Sequence, residues 1–165
     1  MKKDLNFYRN LFIVIVIFSV MGIFYLRYED NQFFNNPLSK EVLYKIDKKA
    51  FEIQKFILQK YKQKIIIPII PTNKIPDNLY GLTTMNTHGD IKILLNKNRF
   101  KENEEYMIDY VLPHEYAHAM MFYFGKFTEV NGGHTKLWQD FCLAIGGKKC
   151  ERFVNYNDIL LQKVR

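Results

Sequence analysis

His114-Glu115-Tyr116-Ala117-His118, flanked by Tyr110-Val111-Leu112-Pro113 and by Ala119-Met120-Met121-Phe122-Tyr123-Phe124, is the stretch on which the reading of this chain turns. It spells HExxH. On a helix, residues four apart share a face, so both imidazoles can address one ion. Zn²⁺ takes imidazole nitrogens at about 2.0–2.1 Å, and a helical i, i+4 pair can supply two of them. Glu115 follows the first histidine and offers a carboxylate beside the metal, a candidate general base. The apolar flanks predict a buried helix, and buried His and Glu side chains need partners. The bland alternative is a buried polar patch satisfied by hydrogen bonds alone.

A third histidine weighs against that alternative. Catalytic zinc takes three protein ligands and keeps one position open. The chain holds four histidines: His88, His114, His118 and His134. His134 lies in Asn131-Gly132-Gly133-His134-Thr135-Lys136-Leu137-Trp138. The glycines predict a turn, and Leu137, Trp138, Phe141 and Cys142 recur at helical spacing. His134 thus stands at the start of a second helix, after a loop able to fold back on the first. The gap from His118 excludes the short HExxHxxGxxH pattern. Glu129 is an alternative third ligand, although its turn setting predicts a solvated carboxylate. His88, in Asn86-Thr87-His88-Gly89-Asp90, reads as an exposed turn histidine.

HEYAH followed by GGHTKLW resembles the SprT-like (Spartan-type) zinc metallopeptidases over about residues 40–150. That family pairs an HExxH helix with a later histidine in a Gly-rich, aromatic setting. Here Gly132 and Gly133 precede His134, Thr135 stands where a glycine is common, and Trp138 matches the family's aromatic to within a residue. A Gly-Leu-Thr segment and the strand Ile-Lys-Ile-Leu-Leu-Asn before the helix fit the same order. The resemblance implies Zn²⁺ held by His114, His118 and His134, with Glu115 catalytic, and a protein or peptide substrate. Two departures stand out. No Cys-rich zinc ribbon follows the core, so a nucleic-acid role attached to that ribbon is not implied. Pro113 directly precedes His114, so the helix either begins there or bends there.

A third departure is the N-terminus. Leu11 to Leu26 reads LFIVIVIFSVMGIFYL, without a charge. At 1.5 Å per residue this spans about 24 Å, short of a hydrocarbon core of about 30 Å. Phe7, Tyr8, Tyr25, Tyr28 and a snorkelling Arg27 can extend it at the interfaces. Lys2, Lys3 and Arg9 precede it, and the positive-inside rule then puts the N-terminus in the cytoplasm and the rest of the chain outside. A cleaved signal peptide is the rival; its small-residue cleavage site is lacking. A core helix is disfavoured because no face is polar.

The net charge of +7 is dispersed. It could favour nucleic acid or anionic lipid, but no basic run with interleaved aromatics appears, and a solvated Lys-rich surface is the simpler reading. Cys142 and Cys150 are the only cysteines, too few for a structural zinc site. They are either two free thiols or, outside the cytoplasm, a disulfide.

The expected organisation is an anchor or uncleaved signal over residues 1–27, a linker over 28–38, and an SprT-like zinc metallopeptidase domain over 39–165. Ser39 caps a helix to about Tyr61 whose apolar residues recur at three- and four-residue intervals. Ile65–Pro71 predicts an edge strand because of Pro68, and Leu79–Thr84 and Ile91–Leu95 predict two more around the His88-Gly89 turn. The tail, with Phe153, Val154, Ile159 and Leu160, is expected to pack back. The fold class is α+β and zincin-like: a small antiparallel sheet with helices packed on it, the HExxH helix and a second helix supplying the third histidine, preceded by one transmembrane helix. Residues 11–26 would contact the bilayer. An exposed edge at Gly89–Leu95 could take up a substrate chain. Asp109 or Asp140 could orient the imidazoles, although a surface carboxylate is the simpler reading of both.

Three functions compete at this level. One is a membrane-anchored zinc endopeptidase acting outside the cytoplasm, where nucleic acid is an unlikely partner. Another is a cytoplasm-facing protease of DNA-associated proteins. The third is a non-catalytic zinc-binding module tethered to the membrane, against which the intact Glu115 argues.

Overall fold

The structure, a computed structural model, describes residues 2–152. The tail residues Phe153, Val154, Ile159 and Leu160, expected to pack back, lie outside the described residues. The chain divides into two compact units, Met1–Pro37 and Leu38–Arg165.

The first unit is one helix, α1 (Lys2–Asn35). Its large apolar side chains from Leu5 to Tyr28 are all exposed, by 41–73%. Such an all-round apolar surface suits lipid rather than water. By length and composition α1 is a membrane-span candidate. The helix does not stop at Arg27. It continues through residues 28–35, which the sequence reading assigned to a linker, and leaves only residues 36–39 as the connection. Polar side-chain pairs at helical spacing, Tyr25 Oη to Glu29 Oε1 (2.7 Å) and Asn35 Nδ2 to Asn31 Oδ1 (2.9 Å), accompany this polar extension. A charge-free stretch therefore underestimates the helix, because helical pairing does not require apolar residues.

The second unit begins with α2 (Lys40–Tyr61). The Ser39 hydroxyl accepts from Val42 N (3.2 Å) and caps its first turn. Ile46, Ala50, Ile53 and Ile57 form its buried face. Ile57 is fully buried, and burying such a side chain stabilises by about 1.5–3 kcal/mol.

Three strands follow: β1 (Ile69–Thr72), β2 (Gly81–Met85) and β3 (Ile91–Asn96). Their order is β1-β3-β2. The β2–β3 hairpin is antiparallel, as expected, with Thr83 opposite Ile93. β1 adds to it in parallel, with Ile69 opposite Ile93, so the sheet is mixed. Pro68 and Pro71 sit on or beside an edge strand, where a missing N–H is tolerated. β3 is central and apolar, with Ile93 and Leu95 fully buried. Being hydrogen-bonded on both sides, it has no free edge, and the expectation that Gly89–Leu95 takes up a substrate is corrected. Among the described residues, the edge strand on the hairpin side is β2.

The next helix is built in three pieces. Asn103 caps α3 (Glu104–Tyr106), a wider π turn spans Met107–Val111, and α4 (Leu112–Tyr123) follows without a break. In the π turn Leu112 N donates to Met107 O, five residues back. This resolves the Pro113 question. Proline has no N–H to give the carbonyl four residues back and its ring crowds that carbonyl; one widened turn relieves both while the axis continues. α4 packs across β2 and β3 and against α5 (Lys136–Ala144). Gln54 of α2 donates to Tyr116 Oη from the other side (3.1 Å).

Cys142, on α5, and Cys150 form a disulfide with Cα atoms 5.9 Å apart, which settles a choice that the sequence left open. Closing a loop this short stabilises by about 2.5 kcal/mol in the chain-entropy account.

Candidate metal centre

α4 presents His114 and His118 on one face. His134 reaches them from the turn before α5. Three local features deliver it. Gly133 has φ +84, a conformation glycine adopts freely, and a Cβ there would lie 2.7 Å from the Phe127 ring. Thr135 Oγ1 accepts from Trp138 N (3.3 Å) and caps α5. Trp138, buried, then packs on all three imidazoles, with ring centroids 4.7, 5.2 and 4.5 Å from those of His114, His118 and His134.

The result is convergence. His134 Nε2 lies 3.1 Å from His114 Nε2 and 3.2 Å from His118 Nε2. A neutral imidazole nitrogen carries one proton or one lone pair, so His134 Nε2 cannot make two full hydrogen bonds at once. Two nitrogens bound tetrahedrally to one zinc stand about 3.3 Å apart. The observed spacing fits a shared ion better than a hydrogen-bonded patch, and these three side chains could hold a metal ion. Burial, reinforced by the other imidazoles, holds His114 well below the usual histidine range. Burial and then His134 bring His118 down to about 3. Both rings are therefore neutral near pH 7, the form that ligates.

Glu115 is buried beside them. Thr83 Oγ1 of β2 lies 2.7 Å from Glu115 Oε2 and 2.9 Å from Glu115 O, and its single proton can serve either. Burial pushes the carboxyl up to about 7, against the lowering effect of the Thr83 hydroxyl. A cation bound next door would favour the ionised form. β2 also approaches Glu115 at Gly81, where a Cβ would fall 2.7 Å from Glu115 Cγ and 2.8 Å from Oε1. Gly81 and Thr83 were visible as a Gly-Leu-Thr segment, but nothing in their spacing assigns them to Glu115. Only the sheet brings them there.

Gly81→Ala tests this contact. The added methyl displaces the carboxylate, and misplacing a reacting group by about 1 Å can cost roughly 10²-fold in rate. Turnover is expected to fall to that extent with metal content unchanged; unaltered turnover would show that the contact does not position the carboxylate.

Other sequence candidates fall outside the cluster. His88 is exposed in an Asn86–Asp90 turn, where Asn86 Oδ1 accepts from His88 N (3.0 Å) and Asp90 N (2.8 Å). Glu129 is exposed. Asp109 pairs with Lys49 (3.2 Å) and Lys148 (2.5 Å), and Asp140 with Lys136 (2.5 Å), so neither is an orienting partner of the imidazoles.

The centre opens into a cleft of about 780 Å³. β2 forms one wall through Gly81, Leu82 and Thr83, and Tyr106, Tyr110 and Phe127 supply aromatic surface. Asn96 holds the approach to β2 in place, donating to Leu79 O (2.8 Å).

The SprT-like family pattern matches residues 26–157. The chain belongs to the SprT-like family. This is a family of the zinc metallopeptidase type, and the match spans the HExxH helix, the Gly-Gly-His turn and the hairpin that holds Glu115. No curated protein and no solved structure matches the chain significantly.

Proposed function

We propose that this SprT-like protein is a membrane-anchored zinc endopeptidase that hydrolyses peptide bonds outside the cytoplasm. The observation that carries the proposal is the approach of three imidazole nitrogens to one point beside a buried, hydrogen-bonded carboxylate. The donor set suits Zn²⁺, which favours nitrogen ligands in tetrahedral sites with one position left open. His114, His118 and His134 would hold it. When bound, zinc supplies Lewis acidity, making water a better nucleophile and a carbonyl a better electrophile.

The chain's own residues do the rest. Glu115 accepts the proton of the attacking water and returns it to the departing amine nitrogen. Thr83 fixes one carboxylate oxygen. Burial raises the carboxyl's pKa in the metal-free protein, and a cation held beside it would favour the ionised form that accepts a proton. β2, an edge strand along the cleft, offers backbone groups with which an extended peptide can pair. Trp138, packed on all three imidazoles, shields them from water.

Two features support the location. α1 is long and apolar enough to cross a bilayer, with Lys2, Lys3 and Arg9 at its start. The Cys142–Cys150 disulfide suits an oxidising compartment, where nucleic acid is not a partner.

The test uses the purified full chain in detergent with an unfolded protein as substrate. One equivalent of zinc and cleavage that stops with a chelator and returns with zinc are expected. Cleavage indifferent to chelation would overturn the proposal.

A further inference from the structure

The face of α2 turned away from the core exposes large apolar side chains. Its buried residues, Ile46, Ala50, Ile53 and Ile57, define one side. On the opposite side lie Tyr44, Lys48, Phe51, Lys55 and Leu58, spaced by alternating steps of four and three. Such spacing keeps residues in one line along a helix. Tyr44 is 66% exposed, Phe51 64% and Leu58 47%, and the interleaved lysines are exposed as well. Lys40 extends the stripe at its start, with Glu41 and Asp47 on its flanks.

We propose that this stripe of α2 lies along an anionic bilayer surface, its three apolar side chains entering the headgroup boundary and its lysines meeting lipid phosphates. Aromatic and aliphatic residues interleaved with Lys are the composition of a helix that rests in the interface. Each lysine near an anionic leaflet adds attraction. The occupant is lipid rather than a second copy of the same face, because two such stripes would oppose lysine to lysine.

Reach permits it. From Leu26, the last apolar residue of the span, α1 rises about 14 Å to Asn35. The headgroup zone is about 5–7 Å deep on each side. Residues 36–39 can extend about 13 Å, enough to return α2 to the headgroups. The tether also keeps α2 at high effective concentration near the surface. The inference goes beyond peptide hydrolysis and shares with that proposal only the anchoring of α1.

The test places the full chain in nanodiscs of phosphatidylglycerol or phosphatidylcholine, each with a trace of photoactivatable phospholipid, and maps crosslinks by mass spectrometry. In anionic discs both α1 and the Tyr44–Leu58 segment are expected to carry label. In neutral discs, in high salt, or in the Lys48→Glu/Lys55→Glu double variant, label on α2 should fall roughly tenfold while label on α1 persists. Both substituted positions are exposed, and an unchanged circular dichroism spectrum checks the fold. Label on α1 without label on α2, label on α2 indifferent to lipid charge, or crosslinks between two α2 helices overturns the surface. Absence of label from both helices overturns it together with the anchor, while the chelator experiment still judges hydrolysis separately.

Discussion

Glu115→Gln is expected to abolish peptide hydrolysis while leaving the metal in place. A positioned general base contributes about 10²–10⁴-fold, and an amide cannot take the proton. The three nitrogens proposed as ligands belong to other residues, so zinc stoichiometry should stay at the wild-type value. Stability supplies an independent check. The folded carboxyl titrates at about 7, above its ordinary 4.5. In the metal-free protein its contribution is therefore fully present below pH 4.5 and lost as pH rises through 7. Gln carries no charge to bury, so the metal-free variant should gain stability relative to wild type at pH 8 and not at pH 4. Activity within about tenfold of wild type would remove Glu115 from the role of base.

His134→Ala is expected to remove the metal. Loss of an outer partner of a metal ligand already lowers affinity about 10–100-fold, and here a nitrogen within 3.1–3.2 Å of both others disappears. Zinc that binds only the folded form at a thousandfold over its Kd stabilises by about 4 kcal/mol. The variant should lose that zinc-induced rise in melting temperature along with activity. His88→Ala is the matched control, because a surface substitution at an exposed turn shifts stability by about 0.5 kcal/mol or less. Stoichiometric zinc and full thermal protection in His134→Ala would disprove the three-histidine centre.

How much of this was legible beforehand depends on the range of the signal. HExxH is local: helix geometry alone puts His114 and His118 on one face, and Ser39 announces a helix start by its own side chain. The π turn was foreshadowed by Pro113, but whether the helix would begin there or adapt was not, because the outcome depends on how firmly Leu112 and Met107 are packed on either side. The α1 helix outruns its apolar stretch for a related reason, since hydropathy reports where lipid contact ends and not where helical hydrogen bonding ends.

The sheet was harder. Alternation marks strands without saying which one is central, and the placing of β1 in parallel on the far side of β3 reversed the expected edge. The same pairing turned the Gly81–Thr83 side of β2 toward the cleft. Gly81 and Thr83 therefore became neighbours of Glu115 across more than thirty residues of chain. Asp109 and Asp140 stand near the ligands in sequence, but the simpler reading of both as surface carboxylates holds, because lysines pair with them.

The amino-acid sequence by itself determined the three candidate histidines, the helix that carries two of them, the Gly-Gly turn before the third and the apolar N-terminal segment, because each is written within a few residues and needs only local backbone geometry. Tertiary structure alone decided that three nitrogens meet at one point, that Thr83 and Gly81 hold the carboxylate, and that Cys142 bonds Cys150. These are distances between segments far apart in the chain or joined by a turn, and such distances are fixed only when burial of the core side chains selects one packing of helix against sheet.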